Sequence, residues 1–177
     1  GKHGNALHAR ALRAELGSMS LMVACADDVF EQHQDLLNTL SSQVFRISQR
    51  VGDGARTKLV NNLLAAINLV GAAEVMALAE RLGLSLDTTL SVIAQSSGQS
   101  WIGSDRMQRA LQNDWAPRAH MTLLTKDSAL AQQAAKSVGF QGVLGAHAAQ
   151  AFANASAAGL SDLDDAAMLQ WLRQQQS

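Results

Sequence analysis

The feature that most constrains the fold is a long apolar segment that spans positions 56 to 82. The only proline of the chain is Pro117, outside this segment, and the segment has the pattern of one continuous helix. Its apolar residues occupy more than the single stripe by which a surface helix contacts a core: Leu63, Leu64, Ile67, Leu69, Val70, Val75, Met76 and Leu78. A helix of this kind must be covered on several sides, so we expect it at the centre of a helical domain.

A different pattern precedes this helix. Positions 19–23 and 43–47 have the composition of short strands, and positions 28–40 between them have the spacing of an amphipathic helix. After position 54 only helical patterns follow. We therefore expect a mainly α chain that begins with a short β-α-β segment.

The helical part is expected to contain several helices separated by glycine or proline. The breaks lie at Gly98, positions 113–117, positions 139–142 and Gly159. Ser85 or Asp87 is expected to cap the helix before the first break. The last helix is expected to start after Ser161 or Asp162 and to run to Arg173.

A group of polar residues lies at the start of the long helix, in the sequence GDGARTKLVNN at positions 52–62. Lys58 and Asn62 are four residues apart and would lie one helical turn apart on the same face. An amine and an amide that converge in this way can bind an oxygen-bearing ligand, and the lysine can exchange a proton with its hydroxyl group. The spacing alone fits an exposed lysine beside two capping-type asparagines equally well. Tandem asparagines are nevertheless unfavourable inside a helix, so Asn61 and Asn62 are expected to have polar partners.

The spacing G-x-G-x-x-x-K-x-x-N-N at positions 52–62 resembles the signature of the β-hydroxyacid dehydrogenases. This family includes 3-hydroxyisobutyrate dehydrogenase, tartronate semialdehyde reductase, threonate dehydrogenase and, more distantly, 6-phosphogluconate dehydrogenase. Three later segments are similar to family motifs in the same order, at positions 71–79, at positions 96–101 and at the pair Lys126-Asp127. The resemblance covers residues 43 to 173.

The resemblance implies a role for each polar residue of the first motif. Lys58 corresponds to the catalytic lysine, which transfers the proton of the substrate hydroxyl group while a hydride moves to or from a nicotinamide. Asn62 corresponds to the asparagine that binds the substrate beside this lysine. Asn61, its neighbour, is a further candidate for substrate binding.

The later motifs supply further candidates. Lys126 and Asp127 resemble the pair that closes over cofactor and substrate, and Ser97 and Gly98 resemble residues that line the same cleft. Without the resemblance, Lys126 and Asp127 would be interpreted as a solvated charge pair. Trp101 carries one polar N–H group on a large apolar ring, so we expect it to pack in the interior rather than to stack on a substrate.

The resemblance implies an enzyme that oxidises or reduces a small 3-hydroxy acid, such as 3-hydroxyisobutyrate, with NAD or NADP. In such an enzyme residues 1–50 correspond to the C-terminal remnant of a Rossmann-type NAD(P)-binding domain, and residues 51–177 to an all-α domain that binds substrate and forms the dimer. A dinucleotide-binding glycine fingerprint is absent from the sequence, since Thr57 occupies the position of its third glycine. The cofactor is therefore expected to be bound mainly by a missing N-terminal domain, and this chain alone is expected to be inactive.

One departure from the family concerns the substrate. Relatives carry a Ser-Gly-Gly loop that holds the substrate carboxylate ahead of the first strand pattern, where this chain has Leu-His-Ala-Arg-Ala at positions 7–11. The loop either lies upstream of the first residue or is lost. The sequence therefore leaves open the identity of the hydroxy acid, and the choice between NAD and NADP belongs to the missing domain.

Two alternative functions fit parts of the sequence. A non-catalytic helical dimerisation module would use the same scaffold, but it would have no reason to keep Lys58, Asn62 and Lys126 together. A 6-phosphogluconate-type substrate would need additional cations for its phosphate group, for which Arg56, Arg118 and Lys126 are the candidates.

Charge and cysteine content exclude several classes of protein. The formal net charge is −1 and the pI is near 6.6, so no basic surface for nucleic acid or for a membrane is expected. The single cysteine, Cys25, excludes an intramolecular disulfide, and no Cys/His pattern predicts a metal site. No signal peptide or membrane-spanning run is apparent, so a cytoplasmic location is expected. The apolar long helix and the family resemblance both favour a homodimer or tetramer.

Overall fold

The computed structural model describes residues 19–175, and the departure from the family at positions 7–11 lies outside them. The described residues form two compact units, which divide between Asn61 and Asn62. The division between them falls inside the long helix. The domain limits at positions 50 and 51 stay a prediction of the sequence.

In the first unit, two parallel strands are connected by one helix. Strand β1 (Ser20–Ala24), helix α1 (Asp27–Leu40) and strand β2 (Gln43–Ser48) follow one another along the chain. Arg46 of β2 donates a hydrogen bond of 2.6 Å to Oδ1 of Asp27, which attaches the start of α1 to the strand. The bounds of all three elements agree with the predicted patterns to within one residue.

Helix α2 (Asp53–Arg81) is the long helix predicted from the sequence and has 29 residues. Asp53 holds its first turn, because its carboxylate accepts hydrogen bonds from Arg50 at 2.9 Å and from Arg56 at 2.8 Å. The bond from Arg50, together with those from Ser48 and Arg56, holds the pKa of Asp53 below its usual value. Arg56, one of the cations considered for a phosphate group, is thus engaged with Asp53.

The second unit continues from α2 into shorter helices. These are α3 (Leu86–Ala94), α4 (Trp101–Leu111), α5 (Met121–Ser137), α6 (Val143–Ala155) and α7 (Met168–Gln174). Ser85 and Ser100 cap α3 and α4, since their hydroxyl groups accept the backbone N–H groups of Thr88 and Gly103. The cap of α3 is therefore Ser85 and not Asp87.

The core of the second unit forms where the middle of α2 meets the later helices. Leu69 and Met76 of α2 share one fully buried cluster with Met107 of α4, Phe152 of α6 and Leu169 of α7. The predicted mainly α class is confirmed, with a two-stranded sheet as the only sheet among the described residues.

The expectation that α2 is covered on several sides is met only in part. In the chain as described, Leu64, Val75 and Leu78 are between 44 % and 56 % exposed. By length and composition alone, α2 could also cross a membrane, although no such run is expected from the sequence. A central helix of a soluble domain passes the same test, and Leu69 and Met76 are buried against other helices.

The last helix begins later than the sequence predicts. Helix α7 starts at Met168 because Asp164 first caps a 3₁₀ turn (Asp165–Ala167), accepting the Ala166 N–H group at 3.0 Å. Before this turn, Gly159 has a φ of +90° and interrupts the helical chain.

The start of α2 packs closely on β1 at Gly54, and a substitution there tests this contact. A Cβ atom at position 54 would clash with the Met22 carbonyl oxygen, whereas one at Gly71 would have no atom within 4 Å. We expect Gly54→Ala to lower the free energy of unfolding by about 1–3 kcal/mol through overpacking. Gly71→Ala, the control in the same helix, should raise it by about 0.5–1 kcal/mol. Denaturant unfolding followed by circular dichroism measures both, and equal effects would contradict the predicted clash.

Candidate active site

The Lys58/Asn62 pair lies on α2. Lys58 is in the second turn of the helix and is exposed, and Asn62 follows one turn later and is partly buried. Because the helix is continuous between them, the predicted one-turn spacing is present. Asn61 is exposed.

Asn62 contacts a residue that lies 65 positions later in the chain. Its Nδ2 atom donates a hydrogen bond of 2.6 Å to Oδ2 of Asp127 on α5. Asp127 is only 2 % exposed, so its carboxylate needs such a donor inside the protein. Because a carboxylate only accepts, the bond also fixes the orientation of the Asn62 amide, with Nδ2 toward α5. Asp127 is therefore the polar partner that was expected for Asn62.

Lys126 lies beside this pair. Its Nζ atom is 3.5 Å from Oδ1 of Asp127, and its side chain is 64 % exposed. The interpretation as a solvated charge pair therefore holds for Lys126 but is wrong for Asp127. Helix α5 buries the carboxylate against α2 and leaves the cation at the surface.

Ser97 and Gly98 lie at a different place. They line a cavity of about 590 Å³ between α2, α3 and α4. The described residues that line this cavity do not include Asn62, Lys126 or Asp127. The structure thus does not bring Ser97 and Gly98 together with the Asn62–Asp127 pair, and their contact with substrate stays a prediction.

Trp101 is not buried, contrary to expectation. It is 57 % exposed, and its ring centre lies 5.7 Å from the guanidinium carbon of Arg106. Helix α4 approaches α2 through Gly103 instead, where an added Cβ atom would lie 2.9 Å from Cβ of Ala72. Gly103 is two residues after Trp101 and so faces the opposite side of α4. The tryptophan is therefore directed away from the α2–α4 contact.

Four charged residues that the sequence patterns did not reveal form a buried cluster. Arg106 and Arg109 of α4 face Asp164 and Asp165, and each of the four is at most 9 % exposed. Arg106 Nε lies 2.5 Å from Oδ1 of Asp165, and Arg109 Nη2 lies 2.8 Å from Oδ1 of Asp164. The only local signal is a pair of arginines three residues apart and a pair of adjacent aspartates. Such residues are usually at the surface, so the signal does not predict burial.

The two adjacent carboxylates have opposite pKa shifts. Burial raises the pKa of Asp165 to about 7, and the charge of Arg106 offsets this only in part. Burial acts in the same direction on Asp164, but the hydrogen bonds from Arg109 and from three backbone N–H groups bring the pKa of Asp164 below its usual value. Asp164 is therefore ionised near neutral pH, whereas Asp165 titrates in this range.

Comparison with known proteins identifies the family. A family model described as "NAD-binding of NADP-dependent 3-hydroxyisobutyrate dehydrogenase" matches residues 52–172, which is more than half of the chain. The chain belongs to this family. The resemblance carried by positions 52–62 and by the later motifs is thus confirmed, and the predicted nicotinamide cofactor is the one named for the family.

Individual relatives of this dehydrogenase family agree. L-threonate dehydrogenase of Pectobacterium atrosepticum is 33 % identical over 159 residues, which cover 90 % of this chain and 52 % of that protein. A 3-hydroxyisobutyrate dehydrogenase from Salmonella typhimurium is 34 % identical and superposes with a TM-score of 0.84, over 90 % of this chain and 56 % of that one. The Mycobacterium tuberculosis 3-hydroxyisobutyrate dehydrogenase, described with L-serine, is 28 % identical with a TM-score of 0.82, over 90 % and 57 %. The chain thus spans about half the length of the curated relatives it matches.

The buried hydrogen bond predicts a difference between the two adjacent asparagines. Asn62→Ala leaves the carboxylate of Asp127 without this donor, which should lower the free energy of unfolding by about 1–3 kcal/mol. Asn61→Ala is the matched control, because Asn61 is exposed, so that water can replace any hydrogen bond it loses and no buried carboxylate is left without a donor. Chemical denaturation of both variants at neutral pH measures the difference. Equal stability of the two variants would refute the structural importance of the Asn62–Asp127 contact.

The pKa of Asp165 predicts how stability depends on pH. Its folded-state pKa of about 7 is above the usual 3.8, so between these values the folded protein binds a proton more strongly than the unfolded chain does. The contribution of Asp165 to stability is therefore fully present below about pH 4 and is lost as the pH rises through about 7. Asp165→Asn, which does not titrate, should remove this part of the pH dependence. Unfolding free energies measured across this range test it, and an unchanged pH profile would speak against the raised pKa.

Proposed function

We propose that the protein to which this chain belongs oxidises or reduces a small 3-hydroxy acid, similar to 3-hydroxyisobutyrate, with NAD or NADP, and that Lys58 is the general acid/base. The observation that carries this proposal is the buried contact between Asn62 and Asp127. In this contact the first and last of the family motifs meet, as is expected if both serve one site.

Lys58 handles the proton in this proposal. During oxidation its neutral amine accepts the proton of the substrate hydroxyl group while the hydride leaves the carbon, and during reduction its ammonium form returns the proton. A bound nicotinamide accepts or supplies the hydride. The exposure of Lys58 supports this role, because a substrate can reach its amine.

Asn62 binds the substrate oxygen beside Lys58. The bond to Asp127 turns Nδ2 toward α5 and so limits the rotation of the amide, which holds Oδ1 in one position. A substrate hydroxyl group can donate to that oxygen and be directed toward the lysine. Asp127 acts here by orienting Asn62.

Lys126 and Asn61 complete the proposed set. The exposed ammonium group of Lys126 suits an anionic group, such as the substrate carboxylate or a cofactor phosphate. Asn61, exposed beside Asn62, is a further substrate contact. The lysine can bind the anionic groups of the substrate and of the cofactor, and the amides can hydrogen-bond to their hydroxyl groups. Positions 19–175 contain no glycine fingerprint for a pyrophosphate, so most of the cofactor contacts belong to another part of the protein.

The substrate class rests on the molecules that the relatives' names contain. These are L-threonate, 3-hydroxyisobutyrate and L-serine. All three carry a hydroxyl group on the third carbon of a carboxylic acid. In such a 3-hydroxy acid, the hydroxyl group would exchange its proton with Lys58, and the carboxylate would bind a cation such as Lys126.

The proposal is tested by Lys58→Ala in the complete native polypeptide. We expect turnover of a 3-hydroxy acid to fall by a factor of about 10²–10⁴, because the general acid/base is lost, while cofactor binding is retained. Lys136→Ala, which removes an exposed lysine at the end of α5, is the matched control and should leave turnover unchanged. Reduced nicotinamide is followed by its absorbance with a panel of 3-hydroxy acids. Near-normal turnover of folded Lys58→Ala would eliminate the assignment.

A non-catalytic dimerisation module is the alternative. The exposed apolar side chains of α2 at Leu64, Val75 and Leu78 favour it, since association would cover them. Sedimentation equilibrium and turnover measured on the same sample separate the two functions. An associated, folded protein that binds the cofactor and turns over none of the hydroxy acids would favour the module.

A further inference from the structure

The start of α5 is attached to the chain segment at positions 163–165. In the described structure no side chain caps this helix. Instead, the Met121 N–H group donates to the Leu163 carbonyl at 3.0 Å, and the Asp165 N–H group donates to the Ala119 carbonyl at 2.9 Å. These bonds form a short antiparallel pair that sets where the helix begins.

The carboxylate of Asp164 adds a side-chain part to this attachment. Its Oδ2 atom accepts the backbone N–H groups of Arg118 at 2.8 Å and Ala119 at 3.1 Å. Its Oδ1 atom accepts Nη2 of Arg109 at 2.8 Å and the N–H group of Ala166 at 3.0 Å. Asp164 has no exposed surface, and each oxygen has two donors. It therefore fixes one arrangement of α4, the segment before α5 and the C-terminal 3₁₀ turn.

The attachment bears on the candidate site through α5 itself. Asp127 is six residues after Met121 on the same helix, so a displacement of the helix start is carried to it. The hydrogen bond from Asn62 to Asp127 depends on a narrow range of distance and angle. A small displacement of α5 would therefore release the Asn62 amide.

We infer that Asp164 is a positioning residue: by holding the start of α5 it sets the place of Asp127 and Lys126 relative to Asn62. Its catalytic consequence rests on the proposed function. Stability alone is a weaker reason for this cluster, because buried ion pairs often contribute little more than apolar residues of similar volume would. Their best-supported role is to specify one arrangement.

Asp164→Asn tests the inference with a minimal change. The amide oxygen stays with the cation of Arg109, so the NH₂ group faces the N–H groups of Arg118 and Ala119 and cannot accept from them. The variant thus releases the segment before α5 and keeps the contact with α4. We expect kcat to fall about ten- to a hundredfold through misplacement of the site, with KM for the cofactor unchanged.

Asp165→Asn is the matched control, because its side chain pairs with Arg106 and not with the segment before α5. Two properties of the full native polypeptide are measured well below the unfolding temperature. The first is kcat with a 3-hydroxy acid, and the second is the position of the ¹⁵N–¹H signals of the Asn62 side-chain amide. Both should change in Asp164→Asn and stay unchanged in Asp165→Asn.

The outcomes separate a positioning role from a structural one. If Asp164→Asn lowers only the melting temperature, while kcat and the Asn62 signals are unchanged in the folded protein, the inference is overturned. If the wild-type protein turns over no hydroxy acid, the proposed function fails, and the positioning role is then judged by the Asn62 signals alone. A shift of these signals in Asp164→Asn upholds the positioning role, and unchanged signals overturn it. If Asp164→Asn does not fold, Asp164→Glu, which keeps the charge and displaces the oxygens by one methylene, is judged by the same two measurements.

Discussion

The hydrogen bond between Asn62 and Asp127 joins α5 to α2 through a buried carboxylate. A buried carboxylate is costly unless it accepts hydrogen bonds, and the bond from Asn62 satisfies Oδ2 of Asp127 where α5 meets α2. This contact explains why Asn62 interrupts an apolar helix that alanine or leucine would suit better. The asparagine costs helix propensity, and in return it specifies one arrangement of two helices.

Local features of this fold are predictable because neighbouring residues determine them. Ser85 caps α3, Gly159 interrupts the chain after α6, and both strands lie where the patterns predict. The contact between Asn62 and Asp127 is different, since it joins residues 65 positions apart and no periodicity connects them. The order of the family motifs indicates that both serve one site, but it does not indicate that the carboxylate is buried or that it orients the amide.

Burial of individual side chains is harder to predict from the sequence than the helices and strands are. Residue type gives only an average exposure, and position on the helix decides the individual case. Trp101 is exposed because Gly103 occupies the face of α4 that meets α2. Arg109 and Asp164 can be buried because they form an ion pair with each other. The two residues are 55 positions apart, so no local pattern predicts the pair.

Asp164 and Asp165 show how neighbouring carboxylates in one buried cluster can differ in function. Burial favours the neutral form of both, and their charges repel. Asp164 stays ionised because it accepts hydrogen bonds from Arg109 and from three backbone N–H groups, two of which belong to the segment before α5. Asp165 has a single cationic partner at its Oδ1 atom, Arg106, and its pKa rises to about 7. The attachment of α5 therefore depends on the carboxylate that remains charged throughout the neutral range, and titration of Asp165 changes stability without removing a bond that holds the helix.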